Sequence, residues 1–203
     1  MIRNLFLAAL FMASGTVFGQ KLKSVSYKDG TQKLSGLVTS NAGKKLPGVL
    51  ILPAWMGIDK EAKTAAAELE KAGYIAFIAD IYGVGNTPTD YASAGKMAGS
   101  YKQNFEAYQK RIALALEQLK KNGANPDKIA VIGYCFGGTG ALEVARGKMP
   151  VSGIVSIHGG IGKDAARKNE AISTKMLIEN GADDESITPK NHNTLVTEKK
   201  EGK

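Results

Sequence analysis

Apolar and polar residues alternate over residues 22–28 and again over 33–39, the period-two pattern of a strand with one buried face. Between the two runs stands Asp29-Gly30, a pair that tolerates positive φ, so the pattern predicts a β-hairpin. The pattern then changes. Residues 48–52 are continuously apolar, and the alanine-rich stretch 60–72 stops at Gly73, which predicts a buried strand followed by a glycine-capped helix. Residues 74–79 repeat the buried-strand pattern. Phe105, Tyr108, Ile112, Leu116 and Leu119 recur at spacings of three and four, one face of a helix that ends before Asn122-Gly123. Residues 129–132, 151–157 and 176–178 read as three more apolar strands, and 138–146 and 189–200 as helices. Residues 83–98, rich in Gly, Thr and Pro, read as a long loop that borders a site. Apolar strands alternating with helices predict one α/β domain, a mainly parallel sheet with helices on both faces in three layers. Sheets of this kind bind ligands at the carboxyl ends of their strands.

Composition leaves that fold unchanged and defines the setting. With 43% hydrophobic and 23% charged residues, the chain is globular rather than disordered, and its one cysteine excludes a disulfide-stapled scaffold. Lysine and arginine number 27 against 19 acidic residues, a formal charge of +8. The lysines are spread from Lys21 to Lys203 with no arginine block and no interleaved aromatics, so they read as a solvated basic surface, and no nucleic-acid partner is expected. Two isolated histidines and one cysteine lack the spacing of a metal site, so no metal is expected.

The N-terminus changes the picture more. Arg3 precedes an apolar run over residues 5–13, and small residues lead through Gly19 to Gln20, the layout of a secretory signal peptide. The expectation is removal of residues 1–19, leaving 20–203 as a single domain in the periplasm or outside the cell. No stretch reaches the roughly 18 apolar residues of a membrane-spanning helix, so no stable membrane insertion is expected after cleavage. Cysteines in such oxidising compartments usually come in pairs, which makes a lone Cys135 conspicuous.

Cys135 sits in Gly133-Tyr134-Cys135-Phe136-Gly137-Gly138, between a predicted strand and a predicted helix. A nucleophile elbow has this layout: a tight turn exposes its central side chain, and flanking glycines let strand and helix approach closely. The following helix also aims N–H groups and its positive end at the turn, favouring a thiolate. This segment, with residues 48–57, Ala79-Asp80-Ile81-Tyr82-Gly83 and Gly181-Ala182-Asp183-Asp184, resembles the dienelactone hydrolase family of the α/β-hydrolase fold. The resemblance covers most of residues 25–195. It implies a hydrolase of small-molecule lactones and related esters that uses a Cys, Asp, His triad and neither a metal nor an organic cofactor. It further implies that Cys135 is the nucleophile and Asp184 the acid that orients a histidine. The oxyanion hole would combine the backbone N–H groups of Phe136 and Trp55. Where many members of that family carry a glutamate, this chain has Ala54.

The histidine departs from the family pattern. It is expected after the acid, beyond a further strand, yet the chain beyond Asp184 offers only His192, eight residues on and near the start of a predicted helix, where it reads as a solvated or capping residue. The family's last strand and helix would therefore be missing, leaving the domain incomplete at its C-terminus and one sheet edge uncovered, a liability for association. His158 ends a predicted strand and is the remaining candidate for a base or pocket residue. A free thiol titrates near pH ~8.5, so an unassisted cysteine is only a few per cent thiolate at neutral pH. Weak ester hydrolysis is the expectation. The alternative is a non-catalytic α/β-hydrolase-fold binding protein or an inactive fragment.

Overall fold

The computed structural model describes residues 22–201 apart from 165, 169, 185 and 186. The segment read as a signal peptide lies outside the described residues. Strands β1 (Lys23–Asp29) and β2 (Gln32–Val38) form the expected antiparallel hairpin, with Gly30 at φ 58° in its turn. There follow β3 (Pro47–Leu52), α1 (Lys60–Lys71), β4 (Ile75–Ile78), α2 (Tyr91–Gln103) and α3 (Phe105–Lys121). The chain continues through β5 (Asn125–Tyr134), α4 (Phe136–Arg146), β6 (Gly153–Ile157), β7 (Met176–Glu179) and α5 (Pro189–Glu201).

The seven strands make one sheet in the order β1-β2-β4-β3-β5-β6-β7. Strand β2 pairs antiparallel with β4, and the remaining neighbours from β4 to β7 are parallel. The apolar runs are explained by burial on both faces. Val49 and Ile51 of β3 meet Ala62 and Ala66 of α1 on one side, while Leu50 and Leu52 meet the core built with α3 and α4 on the other. Tyr108, Ile112 and Leu119, the helical stripe seen in the sequence, are buried in that second core. Alanine at the α1 contact keeps the helix close to the sheet.

Three departures from the sequence reading matter most. Strand β5 extends to both sides of residues 129–132, and α4 begins at Phe136, directly after the cysteine, rather than at 138. The third is a correction: residues 83–98 are not a continuous loop, because α2 starts inside them at Tyr91. Its start is a capping box in which the Asp90 carboxylate accepts from the Ser93 N–H at 2.7 Å and Ser93 Oγ accepts from the Asp90 N–H at 3.3 Å. Ala94 and Ala98 then bury the inner face, so glycine-rich composition loses to capping and packing.

Helix α5 is seated by charge as well as by Leu195. Arg146 of α4 bonds Glu198 of α5 at 3.1 Å and Glu143 at 3.3 Å, and Arg167 grips both Glu143 oxygens at 2.9 Å while its guanidinium lies 3.5 Å from the centre of the Phe105 ring. Each buried carboxylate in this cluster therefore has a cation. The seat places α5 across a groove from Met176 and Ile178 of β7.

Candidate active site

Cys135 caps the N-terminus of α4 with φ 52° and ψ −111°, a left-handed conformation costly for any residue but glycine. The glycines around it explain how that turn is held. A Cβ at Gly133 would strike the carbonyl oxygen of Gly137, and one at Gly137 would strike that of Leu52. A Cβ at Gly138 would come within 2.8 Å of the Gly159 Cα. The start of α4 is thus pressed against the end of β3 on one side and the loop after β6 on the other. Further bonds tie it down: Cys135 N–H donates to the Ile157 carbonyl at 2.8 Å, and Gly160 N–H donates to Thr139 Oγ1 at 3.1 Å. The thiol is partly exposed.

Among the described residues, neither of the two expected oxyanion donors has its N–H engaged. As the first residue of α4, Phe136 has an N–H with no partner one turn back, and among the described residues it donates to no protein group. After β3 the chain makes a turn in which Gly57 N–H donates to the Ala54 carbonyl at 3.0 Å. Trp55 is a central residue of that turn, so its N–H is not used by the turn and, among the described residues, also donates to no protein group. The close contact of Gly137 with Leu52 and Pro53 keeps this loop next to the cysteine turn.

Aromatic side chains support both peptides. The Phe136 ring is buried and stacks on Tyr108 at 4.6 Å between centres, with Tyr82 on it at 5.7 Å. The Tyr108 hydroxyl donates to the Phe136 carbonyl and the Tyr82 hydroxyl to the Trp55 carbonyl, each at 2.9 Å. Burial, then the neighbouring Tyr101 and Cys135, push the Tyr82 phenol above its ordinary range, so it stays a neutral donor. Sequence reasoning did not single out Tyr82, which holds the Trp55 carbonyl; its only signal was membership in the Ala79-Asp80-Ile81-Tyr82-Gly83 segment. A hollow of about 250 Å³ opens beside the turn, lined by Pro53, Ala54, Ile58, Asp80, Tyr82 and Phe136 among others. Asp80 accepts from the N–H groups of Ser35 and Gly83 at 2.9 and 2.8 Å, and among the described residues no lysine or arginine lines the hollow.

The acid and the imidazole meet on the next two strand ends. His158 follows β6 at φ 55°, with its N–H donating to the Glu179 carbonyl at 2.7 Å. Its Nε2 lies 3.6 Å from Oδ2 of Asp184, which is on the loop after β7. The imidazole side chain is 66% exposed and the carboxylate 15%, so the pair is a surface contact. Among the described residues no hydrogen bond joins the Cys135 sulfur to the His158 ring. His192, on α5, is exposed and borders a different groove. Among the described residues no cluster of three or more His, Cys, Asp or Glu side chains is suited to a metal ion.

Comparison with known proteins agrees with this fold. The dienelactone hydrolase family pattern matches residues 34–202. A protein of Bradyrhizobium sp. described as a probable 2-oxo-3-(5-oxofuran-2-ylidene)propanoate lactonase is 31% identical over 120 residues, 58% of this chain. The matched segment is 48% of that protein, so the match spans about half the length of this curated relative. The crystal structure of a dienelactone hydrolase-like promiscuous phosphotriesterase from metagenomic libraries superposes with a TM-score of 0.81 at 30% identity, covering 90% of this chain and 77% of that one. An α/β-hydrolase from a deep-sea metagenome library shares the fold, with a TM-score of 0.53 at 21% identity over 90% of this chain and 78% of its own. A seven-stranded, mostly parallel sheet, a glycine-flanked cysteine turn after β5 and a family match over nearly all the described residues place this chain in the dienelactone hydrolase family, with the α/β-hydrolase fold.

Proposed function

We propose that this chain is an exported hydrolase of small carboxylic esters or lactones with Cys135 as its nucleophile. The observation that carries the reading is the Cys135 backbone at φ 52°, locked between Gly133 and Gly137 beside the unengaged Phe136 N–H. Sγ attacks the ester carbonyl carbon, and the resulting oxyanion is held by the Phe136 and Trp55 N–H groups. Collapse breaks the carbon–oxygen bond to the leaving alkoxide, which takes up a proton, and water then hydrolyses the thioester. His158, braced by Asp184, is the imidazole best placed to move those protons, because β5 and β6 are neighbours and Cys135 and His158 follow their ends. Without a hydrogen bond from sulfur to imidazole in the resting state, turnover is slow. Among the described residues the hollow beside the turn has no cation to meet a carboxylate, which favours uncharged acyl groups.

Incubation with small activated esters and lactones, followed by intact-protein mass measurement, tests this reading. An acyl adduct on Cys135 that forms and decays, absent from Cys135→Ala, supports it; a folded chain that never acylates overturns it. The absence of a sulfur–imidazole hydrogen bond favours a second reading, a non-catalytic binding protein that keeps the hollow. Ester binding without acylation is its signature. Export is tested by the N-terminus of the protein recovered from the periplasm or medium, expected at Gln20.

A further inference from the structure

Helix α2 takes hold of the turn after β3 by its tryptophan. The Trp55 side chain is half-buried against the core, and the Tyr91 ring stacks on it with centres 5.6 Å apart and planes within 8° of parallel. One helical turn on, a Cβ at Gly95 would lie 3.7 Å from Trp55 Cζ3, so residues 91 and 95 meet the indole from the same face of α2. The capping box between Asp90 and Ser93 fixes Tyr91 as the first residue of the helix. Tyr91 itself is 74% exposed, and among the described residues its hydroxyl makes no hydrogen bond to protein and its ring stacks on no other aromatic. An aromatic so placed buries little of its own surface and acts through the ring it covers.

We propose that Tyr91 is a positioning residue for the oxyanion hole, acting through the indole of Trp55; this rests on the reading of the Trp55 N–H as one of the two oxyanion donors. That N–H shares a planar peptide with the Ala54 carbonyl, which accepts from Gly57 N–H at 3.0 Å. The next peptide is held at its other end, where Tyr82 Oη donates to the Trp55 carbonyl at 2.9 Å. Each plane can still rock about its one hydrogen bond. Both planes meet at the Trp55 Cα, so fixing the direction of its Cβ takes up the rotation that is left. The stack on Tyr91 fixes that direction, since parallel offset rings attract beyond the area they bury. An oxyanion donor works only when it is aimed in advance at the developing charge. The two donors are therefore held differently: Phe136 by rings buried with it, Trp55 by a tyrosine standing in solvent.

Two reactions of Cys135 in the purified full chain test this: acylation by 4-nitrophenyl acetate, read from the initial release of 4-nitrophenolate, and alkylation by iodoacetamide. Attack of Sγ on the ester builds an oxyanion, whereas displacement of iodide from a saturated carbon does not, so a misaimed donor slows only the first. Outright loss of an oxyanion donor costs about 10²–10³-fold, and Tyr91→Ala, which keeps the donor but loosens its aim, is expected to slow acylation about tenfold and alkylation by less than about twofold. Tyr91→Phe keeps the stack and is expected to acylate within about twofold of the parent. Trp55 is the chain's only tryptophan, so its fluorescence reports the same contact: quenching by acrylamide rises in Tyr91→Ala and not in Tyr91→Phe. Circular dichroism confirms that both variants fold. Undiminished acylation in Tyr91→Ala, alkylation slowed as much as acylation, loss of acylation in Tyr91→Phe, or unchanged quenching of Trp55 would each overturn the proposal. A parent chain that never acylates overturns the hydrolase reading instead, and the quenching of Trp55 then decides by itself whether Tyr91 holds the indole.

Discussion

The turn after β5 and the loops after β6 and β7 lie side by side at one end of the sheet, yet they are held by different physics. At Cys135 the backbone itself is the lock, because Gly133, Gly137 and Gly138 let main chain touch main chain where no Cβ fits. At His158 and Asp184 the main chain is tied as well, His158 N–H to the Glu179 carbonyl at 2.7 Å, but the two functional side chains meet only at 3.6 Å, with the imidazole mostly in solvent. Close packing is short-ranged and insensitive to salt or pH, whereas an exposed pair is screened and contributes little. On the proposed reading, this pairs a rigid nucleophile with an adjustable base.

Urea unfolding can break that comparison. Gly137→Ala is expected to cost the most, about 3 kcal/mol or more, because its Cβ would meet the Leu52 and Pro53 carbonyl oxygens and backbone would have to move. A loss under about 1 kcal/mol would show that main-chain contact does not hold the turn. Tyr82→Phe comes next at about 1–2 kcal/mol, since it leaves the Trp55 carbonyl without its donor. The same variant is expected to slow ester turnover while leaving the rate of Cys135 alkylation unchanged, which separates oxyanion positioning from thiol access. Cys135→Gly is expected to raise stability by about 1 kcal/mol, because glycine adopts φ 52° without strain, and to abolish turnover. His158→Ala is the smallest, within about 0.5 kcal/mol at moderate salt. If it destabilised the fold as much as Gly137→Ala does, the contrast between the two regions would fail. Its turnover, compared with that of Asp184→Asn, then tests whether the pair acts on the proton transfers at all.

Legibility in the sequence followed the range of the interactions. The hairpin at Asp29-Gly30 and the buried strands β3 and β4 were readable because their signals span a few residues. The cysteine turn was readable too, since Gly133, Cys135 and Gly137 are two apart and the strand and helix adjoin them. Helix α2 was not, because its small and glycine residues resemble a loop until Ala94 and Ala98 find the core. Asp184 was marked only by resemblance, and its partner His158 only as one candidate for a base or pocket role. Tyr82 gave no local sign of its bond to Trp55, a contact between residues 27 apart in the chain.

Taken alone, the sequence determined the alternation of strands and helices, the hairpin, and the chemistry of a glycine-flanked cysteine between a strand and a helix. Periodicity and steric demand act over one or two turns of chain, so they are written locally. Only the tertiary structure decided that β5, β6 and β7 are lateral neighbours, and therefore that His158 meets Asp184 beside Cys135. Strands about 4.8 Å apart bring together residues tens of positions distant, and no local pattern encodes that spacing.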